Sequence, residues 1–126
     1  MKKIISLLLG TSLILSACQS QNSGSTPEES SLTEVDSISH SHGIAMAIDD
    51  PSKLYIATHE WLLVLENETD LYRIGDTTHD LMGFTIDSKD SLTFYASGHP
   101  SFGGNSGFQK TTDGGETWDK VSDGIE

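Results

Sequence analysis

A segment of this chain recurs 40 residues further on, and that spacing restricts the available folds more than any other feature. Gly43-Ile44-Ala45-Met46-Ala47-Ile48 returns as Gly83-Phe84-Thr85-Ile86, and Leu54-Tyr55-Ile56-Ala57-Thr58-His59 returns as Phe94-Tyr95-Ala96-Ser97-Gly98-His99. Gly43 and Gly83, Tyr55 and Tyr95, and His59 and His99 are each 40 residues apart. A unit of this length built from short strands cannot bury its apolar faces alone and must stack on its neighbours. Each copy reads as four strands. The first copy predicts strands near 43–48, 54–58, 62–66 and 71–75; the second predicts them near 83–87, 92–97, 107–111 and 117–121. Turn-forming runs separate them: Asp49-Asp50-Pro51-Ser52, Asn67-Glu68-Thr69-Asp70 and Asp87-Ser88-Lys89-Asp90.

The last turn of the second copy is Thr111-Thr112-Asp113-Gly114-Gly115-Glu116-Thr117-Trp118. Asp113 can accept backbone N–H groups across its own turn, and Gly114 and Gly115 suit positive φ. Thr117 re-enters a strand, and Trp118 offers a broad apolar surface between sheets. The octapeptide resembles the Asp-box of sialidase-type β-propellers, with Thr111, Asp113, Gly115, Thr117 and Trp118 in the motif positions. Its role there is structural. Glu66 to Tyr72 fills the same slot in the first copy in degenerate form, with Tyr72 in place of Trp118. The fold expected is all-β, a β-propeller with about two four-stranded blades and an incomplete ring. Residues 38–126 hold the blades, the first over about 38–78 and the second over about 79–126. The expected reading is the N-terminal part of a longer propeller; the alternative is a short protein that completes its ring by oligomerising.

Residues 1–17 have the organisation of a secretory signal: Lys2 and Lys3, then an apolar run from Ile4 to Ala17, too short to span a bilayer. Its ending, Leu15-Ser16-Ala17-Cys18, resembles the bacterial lipobox, which implies acylation of Cys18 and anchoring at the extracytoplasmic face of the cell membrane. Cys18 is the only cysteine, so no disulfide framework or thiolate metal site exists. Residues 18–37 are polar, with Leu32 and Val35 the sizeable apolar groups, and are expected to form a disordered tether. All 19 acidic residues follow Cys18, against five basic ones. That balance excludes nucleic acid as a partner, because phosphate neutralisation needs clustered Lys and Arg.

Taken with the signal and tether, His40-Ser41-His42-Gly43, Ala57-Thr58-His59, His79-Asp80-Leu81-Met82-Gly83-Phe84, Ala96-Ser97-Gly98-His99-Pro100 and the Asp-box resemble a family of bacterial lipoproteins. These are glycosyl-hydrolase-like proteins with Asp-box (BNR) repeats. More distantly the chain is similar to sialidases, sortilin-type receptors and plant photosystem assembly factors, which share the repeat but no single activity. The resemblance implies a propeller, a lipid anchor and a glycan or protein partner. Sialidase chemistry grips its substrate carboxylate with an arginine triad, and Arg73 is the only arginine here. A general glycosidase needs only two suitably spaced carboxylates, and among 19 some pair always fits. That enzyme, with most of its catalytic residues on other blades, is the alternative to a non-catalytic binding or assembly scaffold; the catalytic residues stay unassigned.

The histidines carry the sharper expectation. His40, His42, His59, His79 and His99 all stand at or near strand boundaries in corresponding parts of the two copies. Convergence of these imidazoles and Asp80 on one rim would form a site for a transition metal such as zinc or copper. The alternatives are that each imidazole bonds neighbouring backbone, or that together they line a polar ligand pocket. The glycine-rich loop 98–107 lacks the Gly-Lys-Ser/Thr ending of a phosphate loop. Phe102 within it, and Trp61 in the corresponding loop, are candidates for partner contact or inter-blade packing.

Overall fold

The computed structural model of the chain describes residues 32–76 and 78–124. The signal segment, Cys18 and the first part of the tether lie outside the described residues. Nine strands and no helix occur among those described, and no helix there is long and apolar enough to cross a membrane. The strands are β1 (Thr33–Glu34), β2 (Ser41–Met46), β3 (Lys53–Thr58), β4 (Leu62–Glu66), β5 (Asp70–Ile74), β6 (His79–Ile86), β7 (Phe94–Pro100), β8 (Gly107–Thr111) and β9 (Asp119–Ser122). They form two antiparallel sheets, one in the order β1-β5-β4-β3-β2 and the other in the order β6-β7-β8-β9.

The 40-residue repeat extends to individual hydrogen bonds. The Asp50 carboxylate accepts the backbone N–H of Ser52 at 3.0 Å, and the Asp90 carboxylate accepts that of Leu92 at 3.0 Å. Lys53 N donates to Asp50 O, and Thr93 N donates to Asp90 O. Ala47 N donates to Lys53 O, as Asp87 N does to Thr93 O. These side-chain-closed turns fix where each second strand begins, which sets the pairing register.

One expectation is corrected. The tether does not run as far as residue 37, because Thr33 and Glu34 pair with Arg73 and Tyr72, and Val35 N donates to Leu71 O. Strand β5 would otherwise present an edge of unpaired backbone groups, and the added strand satisfies part of it. The first sheet therefore has five strands where four were expected.

Alternation along the strands sends one face of the first sheet against the second. Ala57, Leu62, Val64 and Ile74 meet Leu81, Phe94 and Ala96 in a single buried cluster, flanked by Tyr55, Tyr72, Phe84, Ile86 and Trp118. Phe94 is fully buried at the centre, with Tyr55 and Phe84 rings 4.7 and 5.7 Å away. The β8–β9 turn has the expected hydrogen bonds. Asp113 Oδ1 accepts Thr117 N–H at 3.0 Å, and Asp113 Oδ2 accepts the Thr117 hydroxyl at 2.6 Å. Gly114 and Gly115 take φ of 76° and 99°. A side chain at Gly115 would collide with Leu62, so this turn seats directly on the first sheet. The equivalent turn in the first copy uses left-handed Asn67 and Glu68 instead of glycines, and Tyr72 packs on the core as Trp118 does.

Candidate metal centre

Strands β2 and β6 lie side by side across the junction between the sheets, and both carry a register irregularity at the same repeat position. Ser41 pairs with Thr58 and Gly43 with Ala57, leaving His42 as an extra residue. Leu81 pairs with Gly98 and Gly83 with Ser97, leaving Met82 extra. Regular alternation would send the His42 side chain to the same side as Ile44. The bulge re-aims it, and its Nε2 lies 3.4 Å from Asp80 Oδ1 on the other sheet.

His59 arrives from the turn after β3. The Thr58 hydroxyl accepts the N–H groups of Glu60 and Trp61 at 3.2 and 3.0 Å and donates to Trp61 O at 2.8 Å, closing a tight turn. His59 N donates to His40 O, while Glu60 O accepts His79 N–H from the second sheet. His59 Nδ1 then lies 2.9 Å from Asp80 Oδ2. The His59 ring meets those of His42 and His40 edge-on, at 4.3 and 5.3 Å between centroids. Asp80 itself is located by a close backbone approach: a Cβ at Gly98 would overlap the Asp80 carbonyl oxygen.

One ligand atom from each of His42, His59 and Asp80 therefore lies within 4.8 Å of the others. Tetrahedral zinc with ligands at about 2.0–2.1 Å separates ligand atoms by roughly 3.3 Å. The two histidine–aspartate distances are of that order, 3.4 Å from His42 to Oδ1 and 2.9 Å from His59 to Oδ2, and run to different oxygens of the one carboxylate. His42 Nε2 and Asp80 Oδ1 are buried and make no hydrogen bond. They face one another at 3.4 Å, where either a proton or a bound cation would serve both. Two imidazoles and a carboxylate suit zinc, copper or iron, and three protein ligands leave a tetrahedral ion a fourth position.

The structure thus brings two of the five histidines, His42 and His59, together with Asp80; His40 lies beside the His59 ring but outside the three-ligand group. His79 and His99 are not part of the three-ligand group. His99 is exposed and stands opposite Asp80 in the β6–β7 register; His79 is half-buried, and its Nδ1 has no hydrogen-bond partner. Positions equivalent under the repeat belong to successive sheets, so they do not all line one junction. Arg73 stacks 4.3 Å above the Trp61 ring and bonds Asp76 at 2.8 Å, which covers one face of that indole. The expected 98–107 loop is shorter, since β7 runs to Pro100 and β8 begins at Gly107, and Phe102 is fully exposed in the connection between them. A cleft of about 420 Å³, lined by Asp36, Ser39, Thr58, Glu60 and Trp61 among others, adjoins the His59 turn.

No protein-family model, curated protein or solved structure matches the chain.

Proposed function

We propose that this chain is a propeller-type lipoprotein, anchored through Cys18 at the extracytoplasmic face of the cell membrane, which acts as a binding scaffold holding zinc or copper at the junction of its two sheets. The observation that carries the metal reading is the pair of buried, unsatisfied ligand atoms, His42 Nε2 and Asp80 Oδ1, with His59 completing the set. His42 and His59 belong to the first sheet and Asp80 to the second, so the ion ties the sheets together. The His40 ring lies beside that of His59, and the remaining position suits a polar group of a glycan or protein partner. The propeller reading draws support from two runs of four strands, β2 to β5 and β6 to β9, each paired in chain order with β1 added at the β5 edge, and from β2 and β6 meeting side by side. Glycan hydrolysis draws less support, since Asp50, Asp90 and Asp113 are engaged in closing turns.

Titration with zinc and with copper, followed by calorimetry and thermal unfolding, tests the site. One equivalent is expected to bind, and an ion at a hundred times its Kd adds about 2.7 kcal/mol of stability. His42→Ala, His59→Ala and Asp80→Ala should each abolish binding, whereas His99→Ala should leave it intact. Binding no stronger than that of the triple variant would sink the metal reading. Labelled palmitate entering the wild-type chain but not Cys18→Ala tests the anchor separately.

A further inference from the structure

The two sheets of this chain meet through unlike faces, and among the described residues part of each sheet's other face is uncovered: Ile44 and Met46 on the first sheet are largely exposed, while Ile56 and Leu63 on the same face are buried. At the internal junction the first sheet contributes Gly43, Tyr55 and Ala57, and the second contributes Phe84, Ile86 and Phe94. Phe84 packs so closely on Gly43 that a Cβ there would lie 3.3 Å from Phe84 Cβ. The repeat copies both halves of this contact onto the free faces. Gly83, Tyr95 and Ser97 on the far side of the second sheet correspond to Gly43, Tyr55 and Ala57. Ile44, Met46 and Leu54 on the far side of the first sheet correspond to Phe84, Ile86 and Phe94.

Both free faces carry exposed apolar side chains, although Ser97 stands where the internal face has Ala57. Ile44 and Met46 are 66% and 61% exposed, although their equivalents Phe84 and Ile86 pack against the core. On the opposite end Tyr95 and Phe108 stack with centroids 5.6 Å apart and planes 6° from parallel. They border a hollow of about 140 Å³ that also touches Gly83 and Ser97. Exposed apolar side chains at paired strand positions mark an interaction surface.

We infer that the occupant of each free face is a second copy of this chain, added head to tail, with Ile44 and Met46 of one copy packing on Gly83, Tyr95 and Phe108 of the next. The contact repeats the one already formed inside the chain, so its complementarity is encoded by the same residues. Such heterologous contacts close into a ring or run on as a filament. The chain carries a formal charge of −12, so copies repel one another. Association by apolar contact should therefore strengthen as salt rises.

Sedimentation velocity on the chain without its signal residues 1–17, with reductant to exclude Cys18 disulfides and with EDTA to exclude metal bridging, tests this. The expected result for wild type is a species of defined size at a small multiple of the monomer mass, favoured by salt. Ile44→Lys and Phe108→Lys should each be monomeric, because each spoils one face. Mixed together they should form a 1:1 dimer, since each retains the face that the other lacks. Met46→Glu serves as a second first-face variant should Ile44→Lys lose its β circular dichroism. A wild-type chain that stays monomeric at its highest soluble concentration would overturn the inference. So would assembly indifferent to both substitutions, or a mixture that fails to pair. Because metal is withheld throughout, these outcomes are independent of the proposed ion site.

Discussion

At the turn between β8 and β9, the Asp113 carboxylate takes hydrogen bonds from the hydroxyls of Thr111 and Thr117 and from Thr117 N–H. Burial pushes this carboxyl up, but those donors together outweigh it and hold its pKa below the ordinary carboxylate value. A depressed folded-state pKa contributes stability above the unfolded value of about 3.9, and that contribution is lost as pH falls through the folded one. Asp50, Asp90 and Asp123 are shifted in the same direction, chiefly by hydrogen bonds from Ser52, Leu92 and Lys120. Stability should therefore fall below about pH 4, and Asp113→Asn should make that acid limb shallower. At neutral pH the same substitution should cost about 1 kcal/mol, the typical net worth of a single hydrogen bond. Urea unfolding across a pH series measures both effects. Gly98→Ala is the other informative single change. Its added methyl displaces the Asp80 carbonyl, so metal affinity should drop at least about tenfold, which corresponds to 1.4 kcal/mol, in a titration of protein that keeps its β spectrum.

Among the elements, the two bulged inner strands and the Thr58–Trp61 turn do most to shape the candidate site. The bulge at His42 turns an imidazole toward the second sheet, and the same bulge in the second copy carries Met82, which is largely exposed. The turn depends on one buried hydroxyl. Thr58→Val keeps the shape of that side chain but leaves the N–H groups of Glu60 and Trp61 without their acceptor. The expected cost is about 1–3 kcal/mol, read as a lower midpoint in thermal unfolding. Metal affinity should fall with it because His59 loses its fixed approach to Asp80. Thr58→Ser, which restores the hydroxyl, should recover most of both.

Across the whole molecule the decisive fact is that the two sheets share one core. Phe94 sits in it between Tyr55 of the first sheet and Phe84 of its own. Phe94→Ala should cost about 3–5 kcal/mol, and both sheets should unfold together. The two tryptophans allow a direct check, since Trp61 precedes β4 and Trp118 precedes β9. Fluorescence of Trp61→Phe and Trp118→Phe should report the same denaturant midpoint, apart from any shift that the substitutions themselves cause. Separate transitions would mean that the sheets are independent units.

Much of the local architecture was legible in the chain, because the signals that carry it are local. The repeated Asp-led turns, the alternation of apolar side chains and the glycines beside Asp113 each act over a few residues. The strands expected from them lie within a few residues of those observed. The pairing of Thr33 and Glu34 with β5 was not legible, since a short polar segment acquires strand structure only when an open edge lies beside it. Nor was the separation of His42 and His59 from His79 and His99, although all four stand at similar repeat positions. A bulge of one residue and the choice of which faces meet decide that, and both are settled by packing between sheets far apart in sequence. From the sequence alone came the repeat, the strands and the turn chemistry. Tertiary structure decided which of the histidines face Asp80 and which apolar faces stay uncovered, because those depend on contacts that no local pattern encodes.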